Sequence, residues 1–305
     1  MTLTGGLSFS AGWSFTPPPP ENTAGWFGGG SPGSFSTVGR ITYATDTATA
    51  SVRGPLSSAR YSLAATGNTT DGWFGGGQPG PVSTVNRITY ATDTATASVR
   101  GPLSAARFSL AAAGNTTDGW FGAGDGPVST VGRITYATDT ATASVRGPLS
   151  SARYFLAAAG NSDYGWFGGG QPGPVSTVDR ITYATDTATA SVRGPLSAVR
   201  YGLAATGNTT DGWFAGSYPL TSTVDRITYA TDTATASVRG PLSSARYALA
   251  AAGNSDYGWF GGGYQSGGAG STVQRITYAT DTETASVRGP LSAATKKLAA
   301  ASGIQ

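Results

Sequence analysis

Arg40-Ile-Thr-Tyr-Ala-Thr-Asp-Thr-Ala-Thr-Ala-Ser-Val-Arg-Gly-Pro-Leu-Ser57 decides the fold, because it returns nearly unchanged from Arg87, Arg133, Arg180, Arg226 and Arg275. Between copies lies a second block, first complete as Ala59-Arg-Tyr-Ser-Leu-Ala-Ala-Thr-Gly-Asn68 and then Gly72-Trp-Phe-Gly-Gly-Gly77. Its tryptophans fall at 26, 73, 120, 166, 213 and 259, a period of 46 or 47 residues. A fixed period settles the architecture before any local reading, since each unit buries its apolar face only against its neighbours.

Working outward from that stretch, one unit parses into four short strands. Tyr61 to Ala65 is small and apolar and ends in the polar turn Gly67-Asn68-Thr69-Thr70-Asp71. Gly72-Trp73-Phe74 is stopped by Gly75 to Gly77, read as a strand terminator because no helix and lysine follow to make a phosphate cradle. Thr84 to Ala91 alternates Val85, Arg87-Ile88 and Tyr90, and Ala95 to Val99 follows a Thr-Asp-Thr turn and ends at Gly101-Pro102. Four β-strands per unit of this length predict a propeller blade rather than a helical solenoid.

The order Pro-Leu-Ser-x-Ala-Arg, small apolar strand, aromatic strand with a glycine doublet, then tyrosine strand resembles the kelch repeat. Pro55 to Arg60, Trp73-Phe74-Gly75-Gly76 and Val85 to Asp93 carry the likeness, which extends over about residues 25–300. The resemblance implies an all-β, six-bladed kelch-like β-propeller. One departure is that kelch blades usually carry a tryptophan in the fourth strand, where this chain has Ala95 to Ser98. The first unit lacks a Pro-Leu-Ser-x-Ala-Arg strand, and the last has Thr295-Lys296-Lys297 and then no aromatic strand. Leu298 to Ala301 is therefore expected to pair with Gly25 to Gly28 and close the ring, removing the free edges.

Two domains are expected: a docking arm over 1–20 and the propeller over 21–305. In the arm, Leu3, Leu7, Phe9, Trp13 and Phe15 give one apolar face at a period of two, and Pro17 to Pro20 make a stiff spacer. The arm is expected to grip another chain or to lie on its own propeller. The start has no positive, apolar signal pattern, and no stretch is long enough to span a membrane.

Composition narrows the chemistry. With no Cys and no His there is neither a thiolate nor an imidazole base, and a metal site would have to be all oxygen. The aspartates at 46, 93, 139, 186, 232 and 281 sit in Thr-Asp-Thr turns and are expected to cap backbone N–H groups rather than bind metal. The net charge of +3 comes from arginines spread evenly around the repeat, which does not suit nucleic acid. Those at 60, 107, 153, 200 and 246, and at 53, 100, 146, 193, 239 and 288, have two readings. They either form a ring for polyanions or sugar acids, or tie each blade to its neighbour; the second is favoured. The tryptophans are expected in the core. The Asn-Thr-Thr triplets at 68, 115 and 208 are read as turns rather than glycan acceptors.

What varies between units marks the candidate binding surface. The loop after the glycines offers Phe35, Gln78, Asp125, Gln171, Tyr218, Tyr264 and Gln265, on the propeller face that also carries the Ser-x-Ala-Arg segment. No catalytic residue, metal or cofactor is expected. The opening Leu3 to Thr16 is similar to β-rich starts of phage virion proteins, and the repeat to kelch-like repeats of cyanophages. That resemblance implies a non-enzymatic structural or adhesion protein of a virion, made in the host cytoplasm. Its partners would be other virion proteins through the arm and a host-surface protein or glycan, with self-association also open. The alternatives are a cellular kelch-type protein-binding module and, least favoured, a glycan-processing enzyme.

Overall fold

The computed structural model describes residues 23–303 apart from Pro174. Six four-stranded antiparallel sheets form a closed β-propeller. Blade 2 runs Ala64–Gly67, Asp71–Gly75, Val85–Thr89 and Ser98–Arg100 from the axis outward, and blades 3 to 6 repeat it. Blade 1 takes Ala24–Gly28, Val38–Thr42 and Ser51–Arg53 from the start of the ring and its innermost strand, Ala299–Ser302, from the end. That strand pairs from Gly28 opposite Ala299 to Gly25 opposite Ser302, one residue beyond the expected closure.

Strand bounds differ from expectation for local reasons. The innermost strand of blade 2 starts at Ala64 rather than Tyr61, because Ser62 has φ 56° and breaks the extended chain. The third strand stops at Thr89, where Tyr90–Thr92 coils into a 3-10 turn. The outermost strand is only Ser98–Arg100, with Val99 exposed. Three residues ending in arginine make a short, charged edge, which discourages pairing with other sheets. The small residue just before this strand does the packing there: Ala97 is buried in the core shared with blade 1.

Neighbouring blades are joined by a repeated interlock. Trp26 of blade 1 stacks on Tyr90 of blade 2 at 3.7 Å between ring centroids and 7° between planes. Its Nε1 donates to the Asp93 carboxylate at 2.8 Å, which also receives Arg40 at 3.1 Å and lies 3.4 Å from Arg53 Nε. The same set recurs to the last blade, where Trp259 stacks on Tyr43 and donates to Asp46 at 2.8 Å. The Thr-Asp-Thr aspartates thus do not cap their own turns. The 3-10 turn aims each carboxylate into the cleft between blades, where a buried indole N–H and two guanidiniums need an acceptor. Burying each indole contributes about 4–6 kcal/mol of transfer free energy.

The repeated Arg-Gly-Pro also has an inter-blade cause. Gly147 donates its N–H to the Asp186 carbonyl at 2.8 Å, and a Cβ on it would stand 1.9 Å from the Ala188 carbonyl oxygen. Gly147→Ala is expected to destabilise by about 3 kcal/mol, because backbone rather than a flexible side chain has to yield. A denaturant midpoint unchanged at constant slope would refute this.

Candidate binding site at the channel mouth

The segment before each innermost strand builds one face of the molecule. Arg60 bridges Phe35 in the loop of blade 1, and the next residue, Tyr61, bridges Gln78 in the loop of blade 2. Each lead-in is therefore clamped between two of the variable loops.

The next residue in every unit has positive φ: Ser62, Ser109, Phe155, Gly202, Ala248 and Lys297, from 55° to 69°. These six hydrogen-bond to one another in a closed circle. Each N–H donates to the carbonyl of its counterpart one blade earlier, at 2.6–2.8 Å, and Ser62 closes the circle onto Lys297. The left-handed conformation turns N–H and C=O to opposite neighbours, which is why non-glycine residues accept its cost of about 1–2 kcal/mol here. Below the circle the channel is lined by alanines. Two cavities of about 120 Å³ meet at a collar of Ala65, Ala112, Ala158, Ala205, Ala251 and Ala300.

Around the mouth the aromatic side chains form an arc across blades 4 to 6. Tyr154, Phe155, Tyr201, Tyr218, Tyr247 and Tyr264 follow one another with centroid separations of 5.5, 6.5, 5.3, 5.3 and 5.3 Å. Lys296 Nζ closes the arc 4.7 Å from the Tyr264 ring centre, and Lys297 Nζ lies 5.5 Å from Tyr61 and 5.7 Å from Phe155. Burial, and then the Lys296 charge, push the Lys297 amine below its ordinary value. Partial burial and the neighbouring Tyr218 raise the Tyr201 phenol. Both amines sit over ring faces, the favourable side for a cation.

Of the residues singled out in the loops, Tyr218 and Tyr264 join this arc, Tyr218 being 46% exposed. Gln78 accepts the Tyr61 hydroxyl at 3.0 Å, and Gln171 bridges Tyr154. The Asp125 N–H donates to the Phe108 carbonyl at 2.8 Å. Gln265 lies in a small hairpin, Tyr264–Gln265 with Gly268–Ala269, and its Nε2 has no hydrogen-bond partner among the described residues. Phe35 lies apart from the arc, beside a cavity in blade 1. Leu3, Leu7, Phe9, Trp13 and Phe15 lie outside the described residues.

Tyr154, Phe155, Tyr201 and Tyr247 were not singled out in the sequence, and Lys296 and Lys297 stand out there as a departure of the last unit but not as contacts. Their signal is position: each follows the repeated arginine or its threonine substitute by one or two residues. Placed inside a strand, as the parse from Tyr61 has it, they read as core.

The arginines at 60, 107, 153, 200 and 246 are not a ring open to polyanions. They are buried and reach into their own blades, as Arg60 does to the Gly76 and Thr84 carbonyls at 2.8 Å each and to Asn86 Oδ1 at 2.6 Å. Burial pushes Arg60, Arg107 and Arg246 down to about 10, so they stay charged at neutral pH. For Arg153 and Arg200 burial also lowers the pKa, opposed by Asp179 and Asp225. The arginines at 53, 100, 146, 193, 239 and 288 reach the inter-blade aspartates at 3.4–3.6 Å, tying neighbours together. Among the described residues no group of three or more acids is placed to hold a metal ion, and no helix is long and apolar enough to cross a membrane.

The sequence matches no protein-family model, and no curated protein is significantly similar to it.

Proposed function

We propose that this chain is a non-enzymatic adhesion and assembly protein that presents its tyrosine-bearing face to a host-surface glycan or protein. The arc from Tyr154 to Tyr264 carries this reading. Six neighbouring rings on one rigid face offer apolar surfaces with polar edges, which suit sugar rings and extended peptide alike. A non-catalytic role is supported by the use of the repeated acids: each inter-blade aspartate is committed to an indole and to arginines, leaving no free pair for acid–base work there.

The narrower reading is a phage virion component, at the tail, a fibre or the capsid exterior, docked through residues 1–20. It rests on the resemblance of Leu3 to Thr16 and of the repeat to phage proteins. Mass spectrometry of purified particles tests it: stoichiometric presence is expected, and retention of the protein in the soluble lysate alone refutes it. The kelch-type protein-binding module is the second reading, favoured by the clamping of each lead-in between two variable loops on one face. It gains if the chain captures a cellular protein through Tyr218 and Tyr264 while particles lack it.

For either partner, the double variant Tyr218→Ala, Tyr264→Ala is expected to weaken attachment about 30-fold or more, from about 1–3 kcal/mol per buried aromatic anchor. Binding to host cells by the purified propeller measures it, with melting temperature as the control for folding. Attachment within twofold of the parent would move the contact away from the arc.

A further inference from the structure

Blade 1 differs from the other five at one buried position. Blades 2 to 6 each fill the space under the lead-in with their own arginine: Arg60, Arg107, Arg153, Arg200 and Arg246. In each, Nη1 donates to the carbonyl of the threonine just before the third strand's repeated valine, at 2.8–3.1 Å. In four of them it also donates to the carbonyl of the residue after the second strand, at 2.8–3.0 Å. Beside the second nitrogen stands Asn86, Asp179 or Asp225 in blades 2, 4 and 5.

Blade 1 has Thr295 in place of the arginine and Gly39 in place of the acid or amide. The two carbonyls remain, on Gly29 and Thr37. Among the described residues Thr37 O receives only the Gly29 N–H, at 3.1 Å, and Gly29 O has no donor. The equivalent of Thr37 is half-buried in every other blade, whereas Thr37 itself is exposed. A cavity of about 90 Å³ occupies the place, lined by Phe27, Gly29, Phe35, Thr37, Gly39 and Thr295 and reaching exposed Ser292 and Ala293. One water needs about 10–15 Å³ by the same kind of measure, so the space holds a group of several atoms.

We propose that this cavity is a binding site for a guanidinium group, and that it receives an arginine side chain of a partner protein. Four blades show two carbonyls holding one guanidinium nitrogen, and the fold is the same in blade 1. A carboxylate is not required: in blade 3, Gly132 stands where Gly39 does, and Arg107 is held by carbonyls alone. Phe27 and Phe35 supply apolar walls for an alkyl stem and for the flat cation. A lysine amine offers one nitrogen to the carbonyl pair but no second nitrogen for the Phe27 carbonyl, the equivalent of the Phe121 carbonyl that Arg107 Nη2 reaches at 3.4 Å, and no flat face for the phenylalanines. The cation comes from another molecule. All 17 arginines of the chain already have partners, and the residues outside the described set contain neither arginine nor lysine. The inference stands on blade 1 and does not rest on the aromatic arc.

The test is a titration of the full chain with N-acetyl-arginine amide at low millimolar concentration, read by amide NMR shifts. Saturable shifts confined to Gly29, Thr37 and Gly39 are expected, with N-acetyl-lysine amide binding at least about tenfold more weakly. Thr295→Arg, which restores what five other blades carry, is expected to keep the fold and abolish the shifts. Gly39→Asp is expected to tighten binding about tenfold or more, by adding the carboxylate seen beside Arg153. A Cβ there meets only Ala50 at 3.5 Å and Ser292 Oγ at 3.8 Å, so the side chain has room. The proposal is overturned by no saturable shift in either the parent or Gly39→Asp, by shifts that persist in Thr295→Arg, or by equal binding of N-acetyl-phenylalanine amide.

Discussion

Asp139→Ala is expected to lower the melting temperature by about 5–10 °C, the largest effect of any side-chain substitution considered for this propeller. The Asp139 carboxylate is buried between blades 2 and 3, where it accepts Trp73 Nε1 at 2.9 Å and Arg87 Nη1 at 3.1 Å and lies 3.5 Å from Arg100 Nε. Alanine leaves a buried indole N–H and two guanidiniums without their acceptor, a loss of about 3–5 kcal/mol. Calorimetry measures it. Asp139→Asn keeps an oxygen for the indole while discarding the charge, and is expected to fall between the two. The companion Trp73→Phe removes the donor, so the double variant is expected to lose less than the sum of the singles. A shift under about 1 °C for Asp139→Ala would mean that aromatic stacking alone holds the blades, since about 1 kcal/mol moves a domain of this size by roughly 2 °C.

Removing residues 298–305 is expected to abolish the native monomer altogether. The loss takes away Ala299–Ser302, the whole innermost strand of blade 1, and Leu298 from the core shared with blade 6. It exposes the edge of Ala24–Gly28, which pairs with that strand over four residues. Lys297, whose carbonyl accepts the Ser62 N–H, also loses the strand that holds it in place, which weakens the hydrogen-bonded circle at the mouth. A domain has about 5–15 kcal/mol in total, less than the loss of a strand with its packing and an opened ring. Size-exclusion chromatography is expected to show oligomers or aggregate, where the bare edge recruits strands from other chains. A synthetic peptide of residues 296–303, added during refolding, is expected to restore some monomer. A truncated chain that runs as a monomer with an unchanged melting curve would show that closure is dispensable.

The overall architecture was legible because the period is near-perfect and the missing strands at the two ends are complementary. Trp26 to Trp259 could be placed in the core from size alone. What could not be read was where the polar groups point. Asp46, Asp93 and their equivalents look like turn caps in sequence, since their partners Trp259 and Trp26 lie in other units, and only the assembled ring brings them together. The lead-in half of the channel-mouth arc escaped for another reason: alternation counts Tyr154, Tyr201 and Tyr247, like Tyr61, as strand residues, but the residue after each has a positive φ and breaks the strand there. The blade 1 cavity is visible in sequence only when Thr295 and Gly39 are read as one pair, a coupling that needs the register of two strands from opposite ends of the chain.

The closure of blade 1 carries a consequence for the timing of synthesis. The stretch from Gly28 to Ala299 takes roughly 15–55 s to leave a ribosome at usual elongation rates. Throughout that interval the strand Ala24–Gly28 waits with one edge unpaired, while innermost strands of nearly the same sequence are made beside it. Its own glycines, Gly25 and Gly28, make it a poor template for stray pairing. The strand that finally fills the place ends in Ser302, where all the others end in glycine. The Ser302 hydroxyl accepts the Gly253 N–H at 3.3 Å. The last strand thus bears a mark of its own, and it seats the first blade against the sixth.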